Sequence, residues 1–150
     1  MHKLRLKGDS VLKAKCGPVT EFNTDKLYQL IRDMQVIMLD NGGVGLAAPQ
    51  VGEATRVIIV KKQAKKGIWA VINPEITDRS PHTNTMKEGC LSYPGMFKEV
   101  ERPNAVDVKG QDIQGNKLYI AAKGMEARIF CHEITIWKVN ALLGYKEGLT

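Results

Sequence analysis

The segment from Met125 to Ile136 constrains the fold more than any other stretch of this chain. Met125, Ile129, His132 and Ile136 fall on one helical face, because residues three and four apart share a side of an α-helix. The segment is apolar on most of its other sides as well. A helix apolar nearly all round cannot lie on a surface, so this one is predicted to run through the middle of the protein, with other elements packed about it. It carries the pair His132-Glu133 with it. On its own such a pair is no more than a polar turn.

The rest of the chain supplies a mixed set of elements. Asn23 or Thr24 can cap a helix in which Leu27, Leu30, Ile31, Met34, Ile37 and Met38 recur at helical spacing, to about Asp40, where Asn41-Gly42-Gly43 stops it. That stripe reads as core. The segment before it, up to Phe22, reads as irregular, with a turn at Cys16-Gly17-Pro18. Arg56 to Val60 is nearly all apolar and is predicted to be a strand buried on both faces. Trp69 to Pro74 is a second strand, which Asn73-Pro74 should end or bend. Lys87 to Gly95 interrupts any regular pattern. Lys98 to Val108 reads as strand broken at Arg102-Pro103-Asn104, and Leu118 to Ala122 as a return strand after a turn at Gly110 to Gly115. The order of helix, several mostly antiparallel strands and helix is an α+β pattern, around a central C-terminal helix.

At 150 residues, with 43% hydrophobic and 25% charged content, the chain fits one soluble domain spanning residues 1–150. No apolar run is long enough for a membrane span, and no apolar region succeeds the basic first residues as in a secretory signal. Cys16, Cys90 and Cys131 are odd in number and widely spaced, which fits a reducing, cytoplasmic setting. The net charge of +6 concentrates in Lys61, Lys62, Lys65 and Lys66 around Gly67, read as a solvated hairpin loop. No aromatic residue is interleaved there to stack on bases, so no specific nucleic-acid site is expected.

Gly43 to Ala48 matches the letters of a dinucleotide-binding loop, G-x-G-x-x-A, but not its context. That loop comes after a strand and opens a helix. Here a helix precedes it, and Pro49 and Gly52 prevent a helix from opening at its end, so a loop lying close to a ligand fits better.

Three segments carry chemistry. They are Gly43-Val44-Gly45-Leu46-Ala47-Ala48-Pro49-Gln50, then Glu88-Gly89-Cys90-Leu91-Ser92, and last His132-Glu133. Alone, Cys90 reads as a small buried hydrophobe, Gln50 says nothing, and the glycines mean a turn. Together and in this order they resemble the peptide deformylases, with G-x-G-L-A-A-x-Q and E-G-C-L-S matched at every fixed letter and H-E-x-D-H matched in part. The resemblance implies an α+β hydrolase that removes the formyl group from formylmethionyl nascent peptides, with the ribosome as its setting. It implies a divalent metal, Fe²⁺ most naturally, with Zn²⁺, Ni²⁺ or Co²⁺ as alternatives, held by one Cys and two His. Cys90 and His132 match the Cys and the first His. Glu133 matches the general acid and base, and Gln50 with the backbone N–H of Leu91 the oxyanion donors. Val44, Gly45 and Gly89 would line the path of the peptide, pairing to it like an added strand.

The third motif departs from the family. H-E-x-D-H becomes His132-Glu133-Ile134-Thr135-Ile136, so both the Asp and the second His are lost, and Ile136 cannot bind a metal. The other histidines, His2 and His82, match no ligand position. Metal occupancy and activity are therefore expected to fall steeply. A catalytically dead homologue that still binds peptide N-termini is the alternative, and a basic ribosome- or RNA-binding domain is a further one that no motif calls for. Residues Thr135 to Val139 must be encoded ACN-ATH-TGG-AAR-GTN. One G restored before them regroups the bases as GAC-NAT-HTG-GAA-RGT, which permits Asp-His-Leu-Glu-Gly. Residues 135–150 are thus expected to be a tail read in a shifted frame.

Overall fold

The computed structural model describes residues 1–136. Residues 137–150, with most of the expected altered tail, lie outside the described residues. Helix α1 spans Asp25–Asp40. Thr24 caps it, its Oγ1 accepting from the Leu27 N–H at 3.1 Å, and Asp25 adds a negative charge in the first turn. Gly42, at φ +67°, turns the chain out of the helix.

Seven strands come next: β1 Gly45–Ala47, β2 Val57–Lys61, β3 Ile68–Arg79, β4 Thr83–Cys90, β5 Tyr93–Pro103, β6 Ala105–Gln111 and β7 Lys117–Lys123. Helix α2, Gly124–Ile136, comes last among the described elements. Five strands form one antiparallel sheet in the order β1-β2-β3-β6-β7, and β4 and β5 form a separate hairpin. This is the α+β architecture expected, with α2 against the main sheet.

Period-two alternation explains the apolar run in β2. Val57 and Ile59 pack with Leu30, Met34, Met38 and other residues of α1. Ile58 and Val60 pack on the other face with Ala127, Phe130, Ile134 and neighbours from α2. The strand is thus sandwiched between the helices, which is why it shows no polar alternation. Burying Phe130 and Ile134, 0% and 2% exposed, contributes roughly 1.5–3 kcal/mol each.

Several expectations change. Lys87 to Gly95 is not irregular; it contains the end of β4 and the turn into β5, with a register shift between Gly89 and Cys90. The pattern was hidden because β4 has only one buried residue, Glu88, so neither of its faces shows an apolar stripe. The break at Arg102-Pro103-Asn104 does not interrupt one strand; it is where the chain leaves the hairpin for the main sheet. Asn73-Pro74 bends β3 without ending it, and the strand runs on to Arg79 through a register shift. Asn73, at φ +53°, is held there by side-chain bonds to both backbone groups of Val19 and to Gln111. The loop expected over Gly43 to Gly52 contains β1 and a 3₁₀ turn, Ala48–Val51. The first segment also holds a 3₁₀ turn, Ser10–Lys13, capped by Asp9. Met125 leaves the core face and stands 42% exposed. The lysine loop does join β2 to β3, with Lys62 Nζ 4.2 Å from the Trp69 ring centre.

Candidate active site

The site lies where β1, the hairpin and α2 meet. Strand β1 is at the edge of the main sheet, so its outer side faces away from β2. The cleft beside it has a volume of about 670 Å³, and its walls include Val44, Gly45, Gln50, Gly89, Cys90, Leu91, His132 and Glu133. The eight residues singled out by sequence are thus brought together, from four different elements and their junctions.

The 3₁₀ turn after β1 aims Gln50 inward. Its Oε1 accepts from the Ala47 N–H at 2.9 Å, and its Nε2 donates to Ser92 Oγ at 3.2 Å and Cys90 Sγ at 3.4 Å. The residue is 1% exposed, so these bonds fix its rotamer in a site with little water. An N-terminal strap, whose Leu4 and Leu6 also line the cleft, ties the same parts together. The Arg5 N–H donates to the Gln50 carbonyl at 2.7 Å and the Lys7 N–H to the Ser92 carbonyl at 2.8 Å.

Across the cleft, α2 presents His132 and Glu133. His132 Nδ1 donates to Glu88 Oε1 at 2.9 Å, which orients the ring, and the imidazole also makes a hydrogen bond with Cys90. Burial disfavours the imidazolium, but hydrogen bonds with Cys90 and Glu88 prevail and push the pKa up to about 10. Burial also opposes ionisation of Glu88. Bonds from His132 and Arg102 prevail there and hold its carboxyl at about 2. Burial pushes Glu133 up to about 7, with the Glu88 charge adding to the effect and His132 and Arg102 opposing it. Glu133 Oε2 is buried with no hydrogen-bond partner among the described residues. A carboxyl so placed can exchange a proton near neutral pH.

Gly45 permits the approach of β1 to α2. A Cβ there would lie 2.8 Å from Glu133 Oε1 and 2.7 Å from Ile129 Cγ2.

A three-ligand metal does not fit the described residues. Cys90 and His132 converge, but Ile136 is 2% exposed within the apolar core and has no donor atom. No group of three His, Cys, Asp or Glu among the described residues is placed to hold an ion.

Sequence reading missed Glu88, Ser92, Arg102 and Arg128 as parts of the site. Arg128 had a signal: a charge within an otherwise buried helix demands a buried counter-charge. Glu88 and Ser92 fall within the second motif, but their partners there come from β5, α2 and the 3₁₀ turn, which sequence does not place beside them. Arg102 gave none, since its partner is set by hairpin register.

Relatives share both sequence and architecture. The chain is 41% identical over 133 residues to peptide deformylase 1 of Clostridium perfringens, covering 89% of each. It is 45% identical over 132 residues to the peptide deformylase of Halothermothrix orenii, covering 88% of this chain and 84% of that one. The crystal structure of the Thermotoga maritima peptide deformylase superposes with a TM-score of 0.85 at 40% identity, over 91% of both chains. A class I type b peptide deformylase from Acinetobacter baumannii, crystallised with Met-Ala-Ser, gives 0.86 at 36% identity, over 91% of this chain and 92% of that one. With residues 1–137 matching the sequence model of the polypeptide deformylases, the chain belongs to that family.

Proposed function

We propose that this chain takes the formylated methionine end of a nascent peptide into the cleft, and that it is built to remove the formyl group at a rate greatly lowered by Ile136. The observation that carries the reading is the convergence of Cys90, Gln50, His132 and Glu133 on one cleft. The peptide backbone lies along the outer edge of β1 at Val44 and Gly45, opposite Gly89, as an added strand. The Gln50 amide and the Leu91 N–H face the oxygen that gains charge as the formyl carbon becomes tetrahedral. Glu133 carries the proton that the leaving amine needs. The divalent metal of the family, Fe²⁺ most naturally and Zn²⁺, Ni²⁺ or Co²⁺ in its place, would supply an activated water. Cys90 and His132 alone are too few donors to close a tetrahedral site. Formylated nascent peptides place the protein in the cytoplasm near ribosomes, a setting that suits the free thiols of Cys16, Cys90 and Cys131.

Metal content and formate release from formyl-Met-Ala-Ser, measured on the purified chain, test the reading. The expected result is substoichiometric metal and turnover lowered on the order of 100-fold or more against intact relatives. Stoichiometric metal with rapid turnover would overturn it. Ile136→His should raise both quantities. A second reading is favoured by the missing third donor: an inert homologue that binds the formylated peptide without consuming it. Binding by calorimetry with no formate release selects that reading.

We also propose that residues 135–150 come from a shifted frame. In support, the match to the family model ends at residue 137, beside the first altered positions. Sequencing the gene across codon 135 decides it; an unbroken frame encoding Ile136 in related strains ends the idea.

A further inference from the structure

The hairpin of β4 and β5 is a sheet of its own. It carries Gly89 and Cys90, and Leu91 in its turn, whereas His132 and Glu133 stand on α2. The relation between hairpin and helix therefore fixes the relation between the thiol and the imidazole.

Arg128 spans that boundary. It lies one turn before His132 on α2, and the spacing of four puts both on one side of the helix. Its Nη1 donates to Glu88 Oε2 at 2.6 Å and to the Val100 carbonyl at 2.9 Å. Its Nη2 donates to the Asn84 carbonyl and to Asn84 Oδ1, each at 2.7 Å. One guanidinium, 4% exposed, thus grips β4 at Asn84 and Glu88 and β5 at Val100. His132 binds the other oxygen of the same Glu88. Arg102 also holds Glu88, at 3.0 and 3.1 Å, but it belongs to β5. Its bonds join strand to strand within the hairpin, whereas those of Arg128 join the hairpin to the helix. The planar fork of arginine reaches several acceptors at fixed angles, and a lysine ammonium does not reproduce that pattern.

We propose that Arg128 is a positioning residue, which clamps both strands of the hairpin to α2 and thereby sets the approach of Cys90 to His132. The proposal rests on the reading of those two residues as metal ligands. Arg128 acts through Glu88, Asn84 and Val100, and touches no reacting atom in this role.

Hydrogen exchange on the unaltered chain and on Arg128→Met and Arg128→Lys tests the clamp directly. The expected result is exchange roughly tenfold or more faster at amides of β4 and β5, with α1, β2 and β3 unchanged, because local opening is cooperative within such units. Arg128→Lys should behave like Arg128→Met, since charge alone does not restore the fork. Restoration by lysine, unaltered hairpin exchange, or an equal rise throughout the protein overturns the proposal. Should the methionine variant fail to fold, the lysine variant still decides. A second arm measures Co²⁺ affinity by the thiolate-to-metal absorption band in Ile136→His, with and without Arg128→Lys. Affinity about 10–100-fold weaker in the double variant supports the positioning role. Equal affinity overturns that role and leaves the metal reading intact. Absence of Co²⁺ uptake by Ile136→His itself counts against the metal reading, and the exchange result then decides whether the clamp exists.

Discussion

Glu88→Gln keeps the shape of the side chain, but it removes the charge and turns one acceptor oxygen into a donor that faces N–H groups. The carboxylate is 7% exposed and accepts from Arg102 at 3.0 and 3.1 Å, Arg128 at 2.6 Å and His132 at 2.9 Å. Its pKa in the fold is about 2, against an ordinary 4.5, in spite of burial that acts the other way. A gap of that size is worth about 3 kcal/mol at 1.36 kcal/mol per unit. The folded value is the lower one, so this stabilisation is complete above pH 4.5 and is lost as pH falls from there through about 2. Removing the anion also leaves buried guanidinium groups short of a counter-charge, a defect that costs roughly 3–5 kcal/mol. Urea denaturation of both forms, at neutral pH and in steps down to about pH 3, reads the effect. The variant should be less stable by about 3–5 kcal/mol at neutral pH, with the difference narrowing in acid. A neutral-pH loss under about 1 kcal/mol, or a difference that stays constant into acid, would refute the reasoning that charge at this position holds hairpin and helix together.

Three further outcomes are expected. Gly45→Ala drives a methyl against Ile129 and Glu133; it should cost about 1–3 kcal/mol in urea denaturation and weaken binding of formyl-Met-Ala-Ser. His2 bonds Asp33 at 2.8 Å and Glu53 at 3.0 Å, and the Asp33 bond above all raises its pKa from 6.5. Its stabilisation is therefore full below pH 6.5 and lost as pH rises through the raised folded value, so His2→Gln should flatten the fall of the melting temperature as pH rises above 6.5. Asp33, lowered chiefly by the same His2 bond, contributes above pH 3.8 and fades as pH falls through its folded value. Thr24→Ala removes the cap bond to Leu27 and should cost about 1 kcal/mol by thermal melting.

Both helices were legible because each repeats apolar residues at helical spacing, and β2 because it is apolar on two faces. The hairpin was legible only in the second half of β5, from Lys98, and not in β4 or the turn. Its strands place Lys87, Glu99 and Glu101 in solvent, and β4 buries Glu88 where a core strand would bury a valine. A strand pair that leans on a helix through a carboxylate leaves no apolar period to read. The cleft was legible through three short motifs, whose residues do converge. Its supporting shell was not, since Arg102, Arg128 and the Arg5–Lys7 strap gain meaning only from pairings that the register and the tertiary fold create.

The placement of β2 between the helices has a consequence for biosynthesis. Val57 and Ile59 meet a helix that has already been made, whereas Ile58, Val60, Val106 and Val108 await one made after all seven strands. Until α2 docks, that aliphatic surface stays bare beside the uncovered edge at β1, a template for pairing with another chain. A substitution that weakens the packing of α2 therefore threatens solubility as well as chemistry, and the yield of soluble protein should track the docking of that helix.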